Sequence, residues 1–387
     1  MKRVLLGVIL SLLVVALLAG ACAQSAPTSV PQATKAAETK GTAAADSGWQ
    51  AKWDATLAAA KKEGEVVYYT TAGAETRTPI GEAMKNKFGI TVEFVTGRGP
   101  ELSARVIKEY SAGVFMADVM NSGGGTFTGL KEAGLLGKLE PVLVLPEVTD
   151  PKSWVTGGVP YIDKDKMFLG MLAVYEKYVA RNTDLVKEGE ITSLQDLLNP
   201  KWKGKLALFD VTATGSGASM VTFMARVWGL DKTRDFLTQL VKLEPGLTRD
   251  KRLHLEWTAK GKYPVSLAPN PEMVSEFIGL GLPVTHVKIA DGGTVNTVGG
   301  AIGIMGKPAH PNASKVFINW MLSKEGQSVY AGSLKLPGAR VDAPTDGIDK
   351  NTVVGPGDKF VLADEQYFIL QRDVLAMTNE IIAPLMK

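Results

Sequence analysis

Apolar positions along this chain switch repeatedly between helical and extended spacing. Trp53, Leu57 and Ala60 share one helical face that stops at Gly64, and Val66 to Thr71 then reads as a strand. Ile80, Ala83, Met84, Lys87 and Phe88 keep helical spacing up to Gly89, ahead of a strand from Ile90 to Val95. Pro100 opens a helix carrying Leu102, Val106, Ile107 and Tyr110. Ala117 to Met120 predicts a short buried strand and Phe127 to Ala133 a helix. Strands alternating with helices predict parallel sheet covered on both faces.

After a loop-rich stretch from Val142 to Pro160 a second set begins. Lys166 to Ala180 predicts paired strands, and Ser193 with Asp196 gives a capping-box signal for a helix through Leu198. Leu206 to Phe209 is expected as a strand and Ser219 to Trp228 as a helix. Asp231 is expected to cap the helix holding Phe236 and Leu240, and Leu253 and Trp257 to share a further helical face. Strands at Tyr263 to Ala268, Val284 to Ile289 and Ala301 to Met305 follow. Helices are expected from Pro271, from Ala313 and from about Asp364. The expected architecture is α/β, with two lobes and a ligand cleft between them. Lobe 1 takes residues 49–160 plus 285–387 and lobe 2 takes 161–284.

The first 48 residues have a different character. Lys2 and Arg3 precede an apolar run from Val4 to Leu18, then small residues and the chain's single cysteine, Cys22. That pattern predicts a secretory signal over residues 1–22, a lone membrane anchor being the competing reading. Leu18 to Cys22 resembles the lipobox of bacterial lipoproteins, which implies lipidation of Cys22 and placement outside the cytoplasmic membrane, on the cell-membrane outer face or in the periplasm. Residues 23–48 are rich in Ala, Thr, Ser and Pro, too poor in large apolar groups to offset their ordering entropy, and are expected to be a disordered tether.

Charge changes the picture little. The 43 Lys and Arg against 40 Asp and Glu leave no basic surface for a nucleic acid. Enzyme signatures also fail: Ser216 lacks the glycine spacing of a nucleophile elbow, there is no phosphate loop, and the three histidines make no metal-ligand spacing. No catalytic residue, resident metal or cofactor is expected.

What recurs is a strand ending in small or polar residues just before a helix. The junctions carry Thr71 and Gly73, then Arg98, then Ser122 and Gly123, then Thr214, Gly215, Ser216 and Gly217, and finally Asn270 and Glu272. In open α/β sheets that edge holds the ligand crevice, where helix N-termini offer unpaired N–H groups. These residues, with Tyr175 near the crossing between lobes, are the expected ligand-binding set, and they imply an anion or oxygen-rich ligand.

At WDATLAAAKKEGEVVYYT, FVTGRGPEL, LQDLLNPKWKGKLAL and HPNASKVFINWMLSKEGQ the sequence resembles bacterial extracellular solute-binding proteins of ABC importers, family 1 type, in the ferric-iron-binding-like branch. The resemblance runs from Trp49 to Lys387. It implies the type II periplasmic-binding fold, hinge closure on a small ligand, delivery to the permease subunits, and work as a monomer. Iron-binding members place adjacent tyrosines after an Asn at the end of a second-lobe strand, whereas Asn270 is followed here by Pro271 and Glu272. A ferric iron complex is one cargo this resemblance admits, and a small oxyanion, a carboxylate, a phosphonate or a metal chelate is favoured over bare ferric iron. A lipid-anchored hydrolase or transferase on the same fold is the alternative, and a ligand-presenting sensor a third.

Overall fold

The computed structural model describes residues 43–297 and 300–386. The expected signal, Cys22 and most of the expected tether lie outside the described residues. A helix α1 runs over Ala43–Glu63, so regular structure begins six residues ahead of Trp49.

The strands are β1 (Glu65–Thr70), β2 (Thr91–Thr96), β3 (Val119–Ser122), β4 (Phe168–Gly170), β5 (Val174–Glu176), β6 (Val179–Asn182), β7 (Leu206–Phe209), β8 (Gly246–Thr248), β9 (Val265–Leu267), β10 (Val284–His286), β11 (Gly293–Asn296), β12 (Ala301–Ile304) and β13 (Phe360–Leu362). The further helices are α2 (Ala74–Phe88), α3 (Gly99–Ser111), α4 (Gly124–Glu132), α5 (Pro146–Thr149), α6 (Ser216–Trp228), α7 (Leu230–Val241), α8 (Lys251–Ala259), α9 (Pro271–Gly279), α10 (Pro311–Leu322), α11 (Lys324–Leu334) and α12 (Glu365–Ile381).

Two five-stranded sheets organise these elements. The first has the order β2-β1-β3-β12-β4 and the second β10-β6-β9-β7-β8. Within the first, β1 runs parallel to β2 and β3, and β12 is inserted antiparallel between β3 and β4. Alternation along β1 shows why helices cover both faces. Val66 and Tyr68 enter one apolar cluster with Phe317 and Trp320, while Val67 and Tyr69 enter another with Leu102 and Phe127. The second sheet is likewise packed on both faces, by Leu208, Phe223 and Leu237 on one and by Leu255, Val274 and Phe277 on the other.

The segment from Lys166 to Ala180, expected as paired strands, does not pair with itself. β4 joins the first sheet, β6 joins the second, and β5 between them joins a small third sheet of order β13-β11-β5. The return passage is the same in reverse, with β10 in the second sheet, β11 in the third and β12 in the first. Both crossings therefore run through the antiparallel pair β5 and β11.

Local signals behaved as their chemistry requires. Gly64 and Gly89 take left-handed φ values of 76° and 74° after α1 and α2, and Ser193 forms the expected capping box with Asp196. Three details differ. Asp231 lies in the first turn of α7 and the cap is Gly229. Leu253 points outward from α8, whose buried side chains are His254, Leu255 and Thr258. The C-terminal helix α12, expected with the first lobe, sends Val374 and Met377 into the second sheet's core.

Candidate functional site

A cavity of about 590 Å³ opens where the second sheet's helix N-termini face the crossing strands. One wall is the start of α6, with Thr214, Gly215, Ser216 and Ser219, and the start of α9, with Asn270, Pro271, Glu272 and Ser275. The crossing strands supply Val174 and Glu176 from β5 and Asn296 from β11. The end of α11 adds Leu334 and Lys335, followed by Leu336, and the C-terminal region adds Asp349, Thr352, Tyr367, Phe368 and Gln371.

Backbone geometry explains the wall. Gly215 holds φ 149°, a conformation that L side chains rarely adopt, which turns the chain from β7 into α6. Gly217 is buried, and a Cβ there would fall 1.9 Å from the Asp210 carbonyl oxygen, so only glycine lets α6 start this close to the strand end. Lys335 (φ 53°) in the lining and Ala268 (φ 55°), whose carbonyl holds Ser216, are left-handed although neither is glycine. Strain of this kind persists where the surroundings over-determine a conformation.

The expected set divides in two. Thr214, Gly215, Ser216, Asn270 and Glu272 line the cavity together. The Ser216 hydroxyl donates to the Ala268 carbonyl at 3.0 Å and so ties α6 to the end of β9. Asn270 caps α9, its side chain accepting from the Met273 N–H at 3.0 Å. Thr71, Gly73, Arg98, Ser122, Gly123, Gly217 and Tyr175 do not line it. Arg98 is exposed and caps α3. Gly73 and Gly123 cap α2 and α4, and the exposed Thr71 donates its N–H to the Asn121 carbonyl at 3.2 Å. Ser122 is buried against Gly99, whose missing Cβ would meet Ser122 Oγ at 2.8 Å and Thr126 Oγ1 at 2.5 Å, so this glycine serves the approach of α3 to α4. Tyr175 is buried with its hydroxyl donating to the Lys359 carbonyl at 3.2 Å.

Sequence reasoning missed Glu176, Asn296, Lys335, Asp349, Tyr367 and Phe368. Glu176 accepts from Asn296 Nδ2 at 3.1 Å and from the Tyr178 hydroxyl at 3.3 Å. Burial pushes its carboxyl up to about 7 from an ordinary 4.5, against hydrogen bonds from Asn296, Tyr178 and Ser219 that pull it down. Asp349 is held below the ordinary range despite burial, because Ser275 and Asn351 hydrogen-bond to its carboxylate. The Tyr178 hydroxyl is hydrogen-bonded to the Thr294 hydroxyl at 2.6 Å, and that of Tyr367 donates to the Ser219 carbonyl at 2.7 Å. Burial raises both phenols well above their ordinary value, so they stay protonated at neutral pH.

Glu176, Glu272 and Asp349 face one ammonium, that of Lys335, in a lining otherwise made of apolar and neutral polar groups. Among the described residues no group of three or more His, Cys, Asp or Glu is placed to hold a metal ion, and no helix is long and apolar enough to cross a membrane.

Two sheets joined by paired crossing strands, with a cleft at the helix N-termini, define a two-lobed α/β fold of the type II periplasmic-binding kind. Residues 80–353 match the family described as bacterial extracellular solute-binding protein, and the chain belongs to that family. Among curated proteins it is similar to an uncharacterized protein of Haemophilus influenzae, 25% identical over 279 residues, covering 70% of this chain and 76% of the relative. Among solved structures it is similar to Trichodesmium IdiA (FutA) in complex with iron and citrate ligands, with TM-score 0.67, 16% identity and coverage of 82% of this chain and 99% of the other. It is also similar to AfuA from Actinobacillus pleuropneumoniae with exogenous fructose-6-phosphate bound, with TM-score 0.55, 20% identity and coverage of 83% and 99%.

Proposed function

We propose that this chain is the extracytoplasmic, Cys22-lipidated solute-binding component of an ABC importer. It captures a small polar solute between its lobes and presents the closed form to the permease. One observation carries the reading: the cavity is lined by helix N-termini of the second sheet on one side and by the crossing strands and α11 on the other, so rotation of one lobe toward the other changes its volume. The ligand-binding set on this reading is Thr214, Gly215, Ser216, Asn270 and Glu272 with Glu176, Asn296 and Lys335. Among the described residues the lining holds no histidine or cysteine, so no Ser-His or Cys-His pair stands in it, which supports binding over catalysis.

The cargo on similar folds spans iron with citrate and a sugar phosphate. Bare ferric iron fits this cleft poorly, because the tyrosine hydroxyls near Glu176 are protonated and hydrogen-bonded, to Thr294 and to a backbone carbonyl, rather than standing free as phenolates. A thermal-shift screen of residues 43–387 against ferric citrate, phosphate, sugar phosphates, carboxylates and amines tests the reading. A ligand at about a hundred times its Kd adds about 2.7 kcal/mol of stability, a rise of several degrees. That rise is expected to disappear in Thr214→Trp, which fills the lip of the cleft. A shift that persists in this variant would place the binding elsewhere.

A further inference from the structure

We propose that the cargo is an organic cation, an ammonium on a small apolar body, and that Glu176 is its ionic anchor. This rests on the reading of the cleft as the solute site and names the chemistry it selects.

Three observations converge. The lining carries three carboxyls against one ammonium, so a simple anion entering it meets net repulsion and a cation net attraction. Glu176 has no ion-pair partner among the described residues; it accepts hydrogen bonds from Asn296 at 3.1 Å, from Tyr178 at 3.3 Å and from Ser219. A carboxylate has about four lone-pair positions, so one stays open to a further donor. Among the neutral polar groups of the lining stand apolar and aromatic ones, Val174, Leu334, Leu336, Tyr367 and Phe368. Carboxylate with aromatic faces is the combination that receives an alkylammonium or a heteroaromatic cation. Glu176 also lies close enough to Ser219, in the first turn of α6, to take a hydrogen bond from it, so the protein's own carboxyl already occupies the neighbourhood in which a bound oxyanion was expected.

The groups facing Glu176 set its proton response. Asn296 from β11, Tyr178 just before β6, Ser219 from α6 and Tyr367 from α12 surround it, and of these only the two tyrosines titrate, both pushed upward and neutral near pH 7. Glu272, Asp349 and Lys335 are the other charged groups of the lining. With its carboxyl near half-ionised at neutral pH, arrival of a cation drives ionisation and releases a proton, and arrival of an anion draws one in.

The test is calorimetric titration at pH 7 in buffers of different ionisation enthalpy. Putrescine, spermidine, choline and thiamine form one set; phosphate, citrate, ferric citrate and fructose-6-phosphate form the other. The expected result is binding from the cationic set with release of about half a proton, and in Glu176→Gln an affinity at least tenfold lower with the proton release gone. Binding from the anionic set with proton uptake, or a cation whose affinity and proton count are unchanged in Glu176→Gln, overturns the inference. If the anionic set binds and Thr214→Trp abolishes it, the cleft reading stands and only the cation is wrong. If neither set binds, or binding ignores Thr214→Trp, the cleft reading falls as well.

Discussion

Glu176 places a carboxyl where the fold favours its neutral form. The unfolded chain ionises it near 4.5 and the folded chain near 7. The stability it contributes is therefore complete below pH 4.5 and is lost as pH rises through 7. Glu176→Gln is expected to stabilise the ligand-free protein at pH 8, by at most about 3 kcal/mol, and to leave it almost unchanged at pH 4. Urea denaturation at the two pH values measures this, and equal midpoints at pH 8 would show that the carboxyl is well solvated. His254 has the opposite sign. Burial lowers its ring to about 4 from 6.5, so its contribution holds above pH 6.5 and fades as pH falls through 4. Gly217 sets a steric limit: Gly217→Ala must push α6 away from the Asp210 carbonyl. The expected cost is about 1–3 kcal/mol, read from the denaturation midpoint, together with weaker binding of whichever ligand the thermal screen identifies.

Among the elements, α10 depends on a distant partner for its start. His310 provides no side-chain cap, and the Glu63 carboxylate at the end of α1 accepts instead from the N–H groups of Asn312 and Ala313, at 3.0 Å and 2.7 Å, and from Asn312 Nδ2 at 2.7 Å. Glu63→Ala is expected to cost about 1–2 kcal/mol, with Glu63→Gln recovering part of it. Elements whose signals are local were legible in the sequence: β1 and β2 from their apolar runs, α1 and α2 from the glycines that end them. Helix α11 was not. A single residue, Ser323, separates it from α10, and its buried positions are Gly326, Gln327, Tyr330 and Ala331, which make no apolar stripe. The cavity was half legible for a related reason. Thr214 to Ser216 and Asn270 to Glu272 stand at strand-to-helix junctions that the chain pattern marks. Glu176, Asn296, Lys335 and Asp349 come from four other segments, and only the double crossing brings them together.

In the whole molecule, the two crossing strands do two tasks. β5 and β11 form the ladder that joins the lobes, and β5 also carries Glu176 into the cleft. Gly293 lets them lie close, since a Cβ there would meet the Glu176 carbonyl oxygen at 2.3 Å and the Tyr175 ring at 2.8 Å. Gly293→Val is expected to distort that ladder. Small-angle scattering should show the radius of gyration of the parent protein falling when ligand is added and that of the variant staying constant. A variant that still contracts would move the pivot elsewhere.

The insertion of β12 between β3 and β4 also imposes an order of events in time. Until Ile304 has left the ribosome, the first sheet has a gap between β3 and β4 where that strand belongs, and neither has a partner across it. A chain made from its N-terminus thus leaves its first lobe waiting for residues near its other end. On the export proposed above, the nascent protein stays unfinished, and so threadable, for most of its synthesis, which is the state a translocation channel accepts.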